Sequence, residues 1–187
     1  DRNADKIAFL RLEKEYCNIL LVEQLNGDFG DTMMRQFLFD AFRKPLFEML
    51  QFSKDKQLAA IAEKSLKETK YHLKHSSEWI IRLGDGTEES HQRVQNSLTN
   101  LWRYTDELFF TDESDTLLGD LGIIPDFSKI KEVWSANVTA VFEQATLQIP
   151  ANNWQFEGGR KGRHSEHMGY LLAELQYMQR AYPNMEW

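Results

Sequence analysis

The chain has 187 residues, of which 42% are apolar and 27% charged, and its formal net charge at pH 7 is −7. Such a composition is ordinary for a globular protein with a sizeable core, and we predict a single helical domain over residues 1–187. The acidic balance argues against nucleic acid as a partner, because phosphate binding needs clustered Lys and Arg. Cys17 is the only cysteine, which excludes an internal disulfide and metal sites built from several cysteines.

The longest apolar runs are far shorter than the roughly 18 residues that a membrane helix requires, so we predict no membrane association. A single thiol fits a reducing compartment. We therefore expect a cytoplasmic location.

Helical periodicity recurs along the chain, and it predicts five helices or more and no strong strand. The first is expected over residues 5–23, ending at the turn-rich stretch LNGDFGD. The second is expected to begin after Asp31 as its N-cap, and it is apolar almost all round, which predicts burial. Pro45 removes one backbone hydrogen bond within this helix and predicts a kink beside Asp40.

The third helix is expected over residues 55–83, and Thr87 is placed to cap the fourth. An acidic connector with a short helical turn follows. Pro125 and Ser128 mark the start of a fifth long helix, and a loop leads to a last helix over residues 165–180. The pattern predicts an antiparallel helical bundle with short loops. The third helix carries one stripe at three- and four-residue spacing: Leu58, Ala62, Ser65, Thr69, His72, Ser76, Ile80 and Leu83.

The stretch KETKYH, residues 67–72, raises the possibility of a metal site in this stripe. Helix-bundle di-iron proteins hold their metal with a carboxylate three residues before a histidine. Here Thr69 has that offset from His72, and a threonine does not ligate iron as a carboxylate does. Glu68 lies one turn before His72 and is placed to orient it. A histidine in such a stripe is more often a hydrogen-bonded structural residue than a ligand.

Asp40 lies in the apolar stretch FLFDAF and has two interpretations. It either pairs with Arg43 or Lys44 on its own helix, or it points into the core and needs a partner there. A di-iron bundle uses about four carboxylates and two histidines. This chain offers Asp40, Glu68 and His72, so the ligand set is incomplete by count.

A second polar stretch, GGRKGRHSEH, lies before the last helix. His164 and His167 have a spacing that metal ligands use, but Ser165 also suits the N-cap of a helix, and we favour that interpretation. The basic residues could hold an anion such as a CoA phosphate, or contact a partner protein. Six residues are therefore candidates for a partner or CoA contact: Arg160, Lys161, Arg163, His164, Glu166 and His167.

Four stretches of the chain resemble the C-subunit family of the phenylacetyl-CoA ring epoxidase, also called phenylacetate-CoA oxygenase. The similarity runs over essentially the whole chain, and the ending GRHSEHMG…LAELQYMQR is its most specific part. The stretches are LLVEQLNGDFGDT, KYHLKHSSEWIIRLGDGTEESHQRVQ, LWRYTDELF and GGRKGRHSEHMGYLLAELQYMQR.

The resemblance implies a ferritin-like fold and a place in a bacterial monooxygenase of phenylacetate catabolism, which uses O₂ and electrons from NADPH. In that complex the A subunit holds the di-iron centre and binds the CoA thioester, and the C subunit is a scaffold. The chain is thus expected to bind no cofactor itself. Its expected partners are the A subunit and other subunits of the complex, and self-association is open. Family members carry a further N-terminal helix, which the bundle is expected to lack here.

The resemblance implies that KETKYH is a former metal site, in which Thr69 occupies the place of a ligand carboxylate. We predict that Asp40, Glu68, Thr69 and His72 form a closed polar network without metal. Two alternatives remain at this point. One is a self-sufficient di-iron oxygenase with a non-standard ligand set, and the other is a helical interaction module outside phenylacetate metabolism.

Overall fold

The computed structural model describes residues 3–151, 154–183 and 185, and the regular structure in those ranges is helical. This confirms the predicted all-α class. None of the described helices is both long enough and apolar enough to cross a bilayer. The α-helices are α1 (Ala4–Phe9), α2 (Phe29–Leu50), α3 (Lys56–Gly84), α4 (Glu88–Leu101), α5 (Glu113–Asp120), α6 (Phe127–Gln144) and α7 (His167–Ala181).

The chain forms two compact units. Residues 26–155 form the bundle unit, in which α2 packs against α3, α4 and α6, and α3 also contacts α4 and α6. This arrangement is the ferritin-like helical bundle that the sequence predicts. Residues 1–25 and 156–187 form the terminal unit, in which α7 packs against α1 and the segment that follows it. The prediction of a single domain over the whole chain stays a prediction.

Helix α2 is the centre of the bundle unit and is buried as predicted. It begins three residues earlier than expected, because Asp28 is its N-cap. The Asp28 side chain accepts from the Asp31 backbone N–H at 3.0 Å, and the Asp31 side chain accepts from the Asp28 N–H at 3.1 Å. This reciprocal pair is a capping box, so Asp31 supports the cap instead of being it. The helix continues through Pro45 to Leu50.

Helices α3 and α4 follow the sequence closely. Asp55 caps α3 by accepting from the backbone N–H groups of Gln57 and Leu58, and Thr87 caps α4 by accepting from that of Ser90. Such side-chain acceptors satisfy donors that have no partner inside the helix. Only residues 85–87 separate α3 from α4, and so short a turn makes the two helices antiparallel neighbours.

Aromatic side chains fill the core between α2, α6 and the turn after α4. The rings of Phe37 and Phe142 lie 5.5 Å apart, and Trp134 lies 5.5 Å from Trp102. Trp134 also donates its indole N–H to the Leu38 carbonyl oxygen at 3.0 Å, which satisfies its one buried polar atom. The core therefore fixes α6 against α2 by both packing and a hydrogen bond.

The expected first helix over residues 5–23 is wrong. The structure has α1, which ends at Phe9, and then 3-10 turns at Glu13–Glu15 and Leu20–Glu23. The backbone here finds partners far away in sequence instead of four residues back. Gln176 of α7 donates to the Arg11 carbonyl oxygen at 2.8 Å, and His164 contacts the Tyr16 carbonyl oxygen at 3.1 Å.

The start of the last helix also differs from the expectation. Helix α7 begins at His167 with Glu166 as its N-cap residue, and no side chain caps it. Ser165 is therefore not a side-chain cap, and its backbone N–H donates to Glu23 Oε2 at 2.8 Å.

We expect Gly84→Ala to destabilise the bundle unit by about 1–3 kcal/mol, the usual cost of overpacking. A Cβ atom at Gly84 would lie 2.2 Å from the Ala145 carbonyl oxygen, where the end of α3 packs against the end of α6. Urea unfolding followed by circular dichroism measures the change. Gly119→Ala is the matched control. It has open space around the added methyl group, and we expect a gain of up to about 1 kcal/mol from helix propensity. Equal effects at the two glycines would contradict the packing argument.

Candidate functional site

Asp40 is fully buried in the middle of α2, and its carboxylate is satisfied by two residues of the same helix. Gln36 donates its amide to Asp40 Oδ2, and Arg43 donates to Oδ1 at 3.2 Å. The Arg43 guanidinium also lies 5.3 Å and 5.4 Å from the ring centres of Phe39 and Phe47. Both sequence interpretations of Asp40 are therefore correct at once, because it is buried and also paired with Arg43.

Burial raises the pKa of the Asp40 carboxyl above its ordinary value of 3.8. The hydrogen bond from Gln36 and the positive charges of Arg43 and His72 oppose that rise without cancelling it. Burial therefore makes the charged form of Asp40 less favourable, and Gln36, Arg43 and His72 reduce that free-energy cost.

Thr69 is fully buried on α3, and its hydroxyl donates to the Ser65 carbonyl oxygen at 3.0 Å. Ser76, one heptad further on, is also buried and donates to the His72 carbonyl oxygen at 2.9 Å. Hydroxyl groups that bond back to the preceding turn need no partner from another helix. Thr69 therefore fills the core as a small, self-satisfied residue.

The predicted network of four residues does not form, since Glu68 and His72 are exposed. The buried positions of α3 follow a heptad pattern at residues 62, 66, 69, 76 and 80, and Leu73 continues it as a half-buried residue. His72 lies one position beside that stripe. Three- and four-residue spacing between Thr69 and Ser76 fits either His72 or Leu73. The apolar residue, Leu73, is the one that is half-buried.

The described residues do not fit a di-iron centre. They contain no group of three or more His, Cys, Asp or Glu placed to hold one metal ion. Both Asp40 oxygens accept from protein donors, and the Thr69 hydroxyl is committed to its own helix. Asp40 and Thr69 are thus both buried in the bundle unit, whereas Glu68 and His72 are exposed.

An aromatic row on the surface of the bundle unit did not emerge from the sequence. Tyr71, His75 and Trp79 follow one another at four-residue spacing, with ring centres 6.4 Å apart at both steps. Phe29 of α2 packs edge-on against Trp79 at 5.0 Å. We call these four residues the aromatic row. Their spacing was visible in the sequence, but exposure was not, and Tyr71 is 69% exposed.

The candidate contact residues before α7 divide into two groups. Lys161, Arg163 and Glu166 are exposed, and Arg160 and His167 are half-buried, and their role as contact residues stays a prediction. His164 is different, because none of its side chain is exposed. Its assignment as a surface contact is wrong in this structure.

The His164 ring lies between Glu23 and the backbone of Tyr16. Its Nδ1 atom is 2.6 Å from Glu23 Oε1, and its Nε2 atom is 3.1 Å from the Tyr16 carbonyl oxygen. Asn18 also donates to Glu23 Oε1, at 2.7 Å. Sequence reasoning missed Glu23 and Asn18, since no local pattern connects residues that are 141 positions apart.

Comparison with known proteins identifies the family. A family model described as "Phenylacetic acid catabolic protein" matches residues 1–187. The chain belongs to the phenylacetic acid catabolic protein family. The resemblance noted in the sequence is thereby confirmed, and it connects this family member with phenylacetic acid catabolism.

A curated member of the family supports a more specific comparison. The chain is 46% identical over 183 residues to the C subunit of the 1,2-phenylacetyl-CoA epoxidase of Escherichia coli (strain K12). The match covers 98% of this chain and 74% of the relative. The match therefore extends over nearly the whole chain, including both of its compact units.

For this family member we expect the stability of Asp40→Asn, relative to the unchanged protein, to rise with pH. Because burial raises the pKa of Asp40, ionising it costs the folded state more than the unfolded state. That cost is absent below the ordinary pKa of 3.8, where both states are protonated, and fully present above the raised pKa. Asparagine does not ionise, so its advantage grows across this interval.

The measurement is the free energy of unfolding in urea for both proteins, from below pH 3.8 to neutral pH. Asp120→Asn, at an exposed site on α5, corrects for the general loss of one negative charge. A difference between Asp40→Asn and the unchanged protein that falls as pH rises would contradict the burial argument.

Proposed function

We propose that the chain is a non-catalytic structural subunit of a phenylacetyl-CoA 1,2-epoxidase, a cytoplasmic monooxygenase of aerobic phenylacetate catabolism. It assembles with and supports a catalytic A subunit, which holds the di-iron centre and binds the CoA thioester. The complex as a whole uses NADPH and O₂. The observation that carries the proposal is the 46% identity to the C subunit of such an epoxidase over 98% of the chain.

The chemistry of the core supports a structural role. Asp40 is satisfied by Gln36 and Arg43, and Thr69 is satisfied by the backbone of its own helix. A buried polar group is retained at low cost when its hydrogen bonds are made. Protein hydrogen bonds therefore accommodate these residues in the region where a catalytic relative would place metal ligands.

Exposed aromatic and apolar side chains support a role in assembly. Tyr71 of the aromatic row is 69% exposed, and Tyr170 and Tyr177 of α7 are 77% and 63% exposed. Leu171, Leu175 and Met178 of α7 are exposed as well. Aromatic residues are enriched in protein interfaces because they bury much area with few torsions to fix. Such exposed aromatic and apolar surfaces suit a subunit that binds other subunits.

We expect this chain, purified alone after expression with ample iron, to contain no stoichiometric iron and to form no epoxide from phenylacetyl-CoA. Its complex with the A subunit of the same organism is expected to contain iron and to turn over the substrate. Elemental analysis and product detection by mass spectrometry measure both. About two irons per chain in the isolated protein, with O₂-dependent turnover, would establish the alternative of a self-sufficient di-iron oxygenase.

The loop before α7 gives a second test. We expect Arg163→Ala to raise the dissociation constant for the A subunit about fivefold or more, the effect of losing roughly 1 kcal/mol at an interface. Lys129→Ala, an exposed basic residue on α6, is the matched control and is expected to leave the constant unchanged. Titration calorimetry or quantitative co-purification measures both variants. Unchanged binding by Arg163→Ala removes this residue from the proposed interface.

A further inference from the structure

The buried pair of His164 and Glu23 has no part in the proposed role of the bundle, yet it organises the terminal unit. The two side chains are 0% and 1% exposed, and their closest atoms are 2.6 Å apart. From the hydrogen bonds around them we infer that His164 is a doubly protonated imidazolium. One proton on Nδ1 then acts as a latch that holds the segment after α1 against the start of α7.

The Nε2 atom of His164 must carry a hydrogen. Its partner is the Tyr16 carbonyl oxygen at 3.1 Å, and a carbonyl oxygen only accepts. The protonation state of the ring therefore depends on Nδ1 alone. A neutral ring would have its lone pair at Nδ1, directed at Glu23.

The surroundings of Glu23 favour a carboxylate over a carboxylic acid. Oε1 accepts from the Asn18 amide at 2.7 Å, and Oε2 accepts from the Ser165 backbone N–H at 2.8 Å. With both oxygens engaged by donors, the remaining hydrogen between Glu23 and His164 is best placed on Nδ1. The pair is then a charge-assisted hydrogen bond between an imidazolium and a carboxylate.

The neighbouring charged groups do not replace this pairing. The Arg11 guanidinium stacks over the Tyr16 ring at 4.2 Å and donates to the Glu15 carbonyl oxygen. The Tyr16 hydroxyl donates to the Ala8 carbonyl oxygen at 2.6 Å and accepts from Gln176. The other charged or titratable side chains on the packed segments are Glu13, Lys14, Glu15, Cys17, Glu157, Arg160, Lys161, Arg163, Glu166 and half-buried His167.

The latch joins two segments that local structure does not hold. Residues 16–19 have no regular secondary structure, and the loop before α7 is turned by Gly158 and Gly162, both with positive φ. Gly159 packs so closely on this segment that a Cβ atom there would lie 2.2 Å from the Asn18 carbonyl oxygen. If Nδ1 lost its proton, two acceptors would face each other at the same short distance. The contact would then separate, and the two segments would part.

The first experiment measures the charge state directly in the full chain. Nitrogen-15 NMR of the imidazole rings at neutral pH is expected to show protons on both His164 nitrogens. A neutral ring with a hydrogen on Nε2 only would overturn the inference, because the shared proton would then lie on Glu23. The same sample also reports amide exchange, so the two readouts refer to one state.

Glu23→Gln tests the coupling, with Glu157→Gln as the matched control at an exposed glutamate of the same unit. We expect His164 to become neutral in Glu23→Gln, because the glutamine amide can donate to Nδ1 where the carboxylate could only accept. The hydrogen bond that remains is then neutral, and the carboxylate that accepts from Asn18 and Ser165 is lost, so the two segments are held less tightly. Amide exchange in residues 16–23 and 163–168 is therefore expected to accelerate at least tenfold, with that of α2 and α3 unchanged.

Three outcomes would overturn the proposal. One is a doubly protonated His164 in Glu23→Gln, and another is unchanged exchange in the two segments. The third is the same acceleration in Glu157→Gln. If Glu23→Gln does not fold, the nitrogen-15 spectrum of the unchanged protein still decides the charge state.

Discussion

The bundle unit depends on the burial of α2, which is apolar on most of its circumference. Because no single neighbour can cover such a helix, α3, α4 and α6 must pack around it together. Any polar group on α2 then lies in the core and must find its hydrogen bonds within reach of that helix. Asp40 meets this condition with Gln36 and Arg43, one turn before and one turn after it.

Two polar residues of the bundle unit, Asp40 and Thr69, are satisfied differently from Glu23 of the terminal unit. In the bundle unit, Asp40 and Thr69 bond within their own helices, so their satisfaction needs no precise docking of one helix on another. In the terminal unit, Asn18 donates to Glu23 locally, but Glu23 Oε2 accepts from Ser165 and Oε1 contacts His164, both far along the chain. Hydrogen bonds within one helix persist when helices shift slightly against each other. Hydrogen bonds between distant segments form only when those segments take one particular arrangement.

This difference explains which features the sequence could predict. Helices α3 and α4 followed from periodicity and from the cap at Thr87, because those signals are local. The burial of Asp40 was one of the two interpretations that its apolar neighbours and the nearby basic residues allowed. The helix over residues 5–23 was wrong because carbonyl oxygens in it bond to α7 and His164, and no local pattern encodes that. His72 was misplaced by one position, since the spacing in the stripe fits Leu73 equally well.

The position of Arg43 gives the structural interpretation of Asp40 its strongest physical support. A buried carboxylate needs a compensating positive charge, and in a metalloprotein the metal ion supplies it. Here the Arg43 guanidinium lies 3.2 Å from Oδ1 and is itself held between two phenylalanine rings. A metal cation at the same carboxylate would have to displace or repel this fixed cation. The core thus contains its own counter-ion, which supports the proposal that this chain contributes to the epoxidase by assembly.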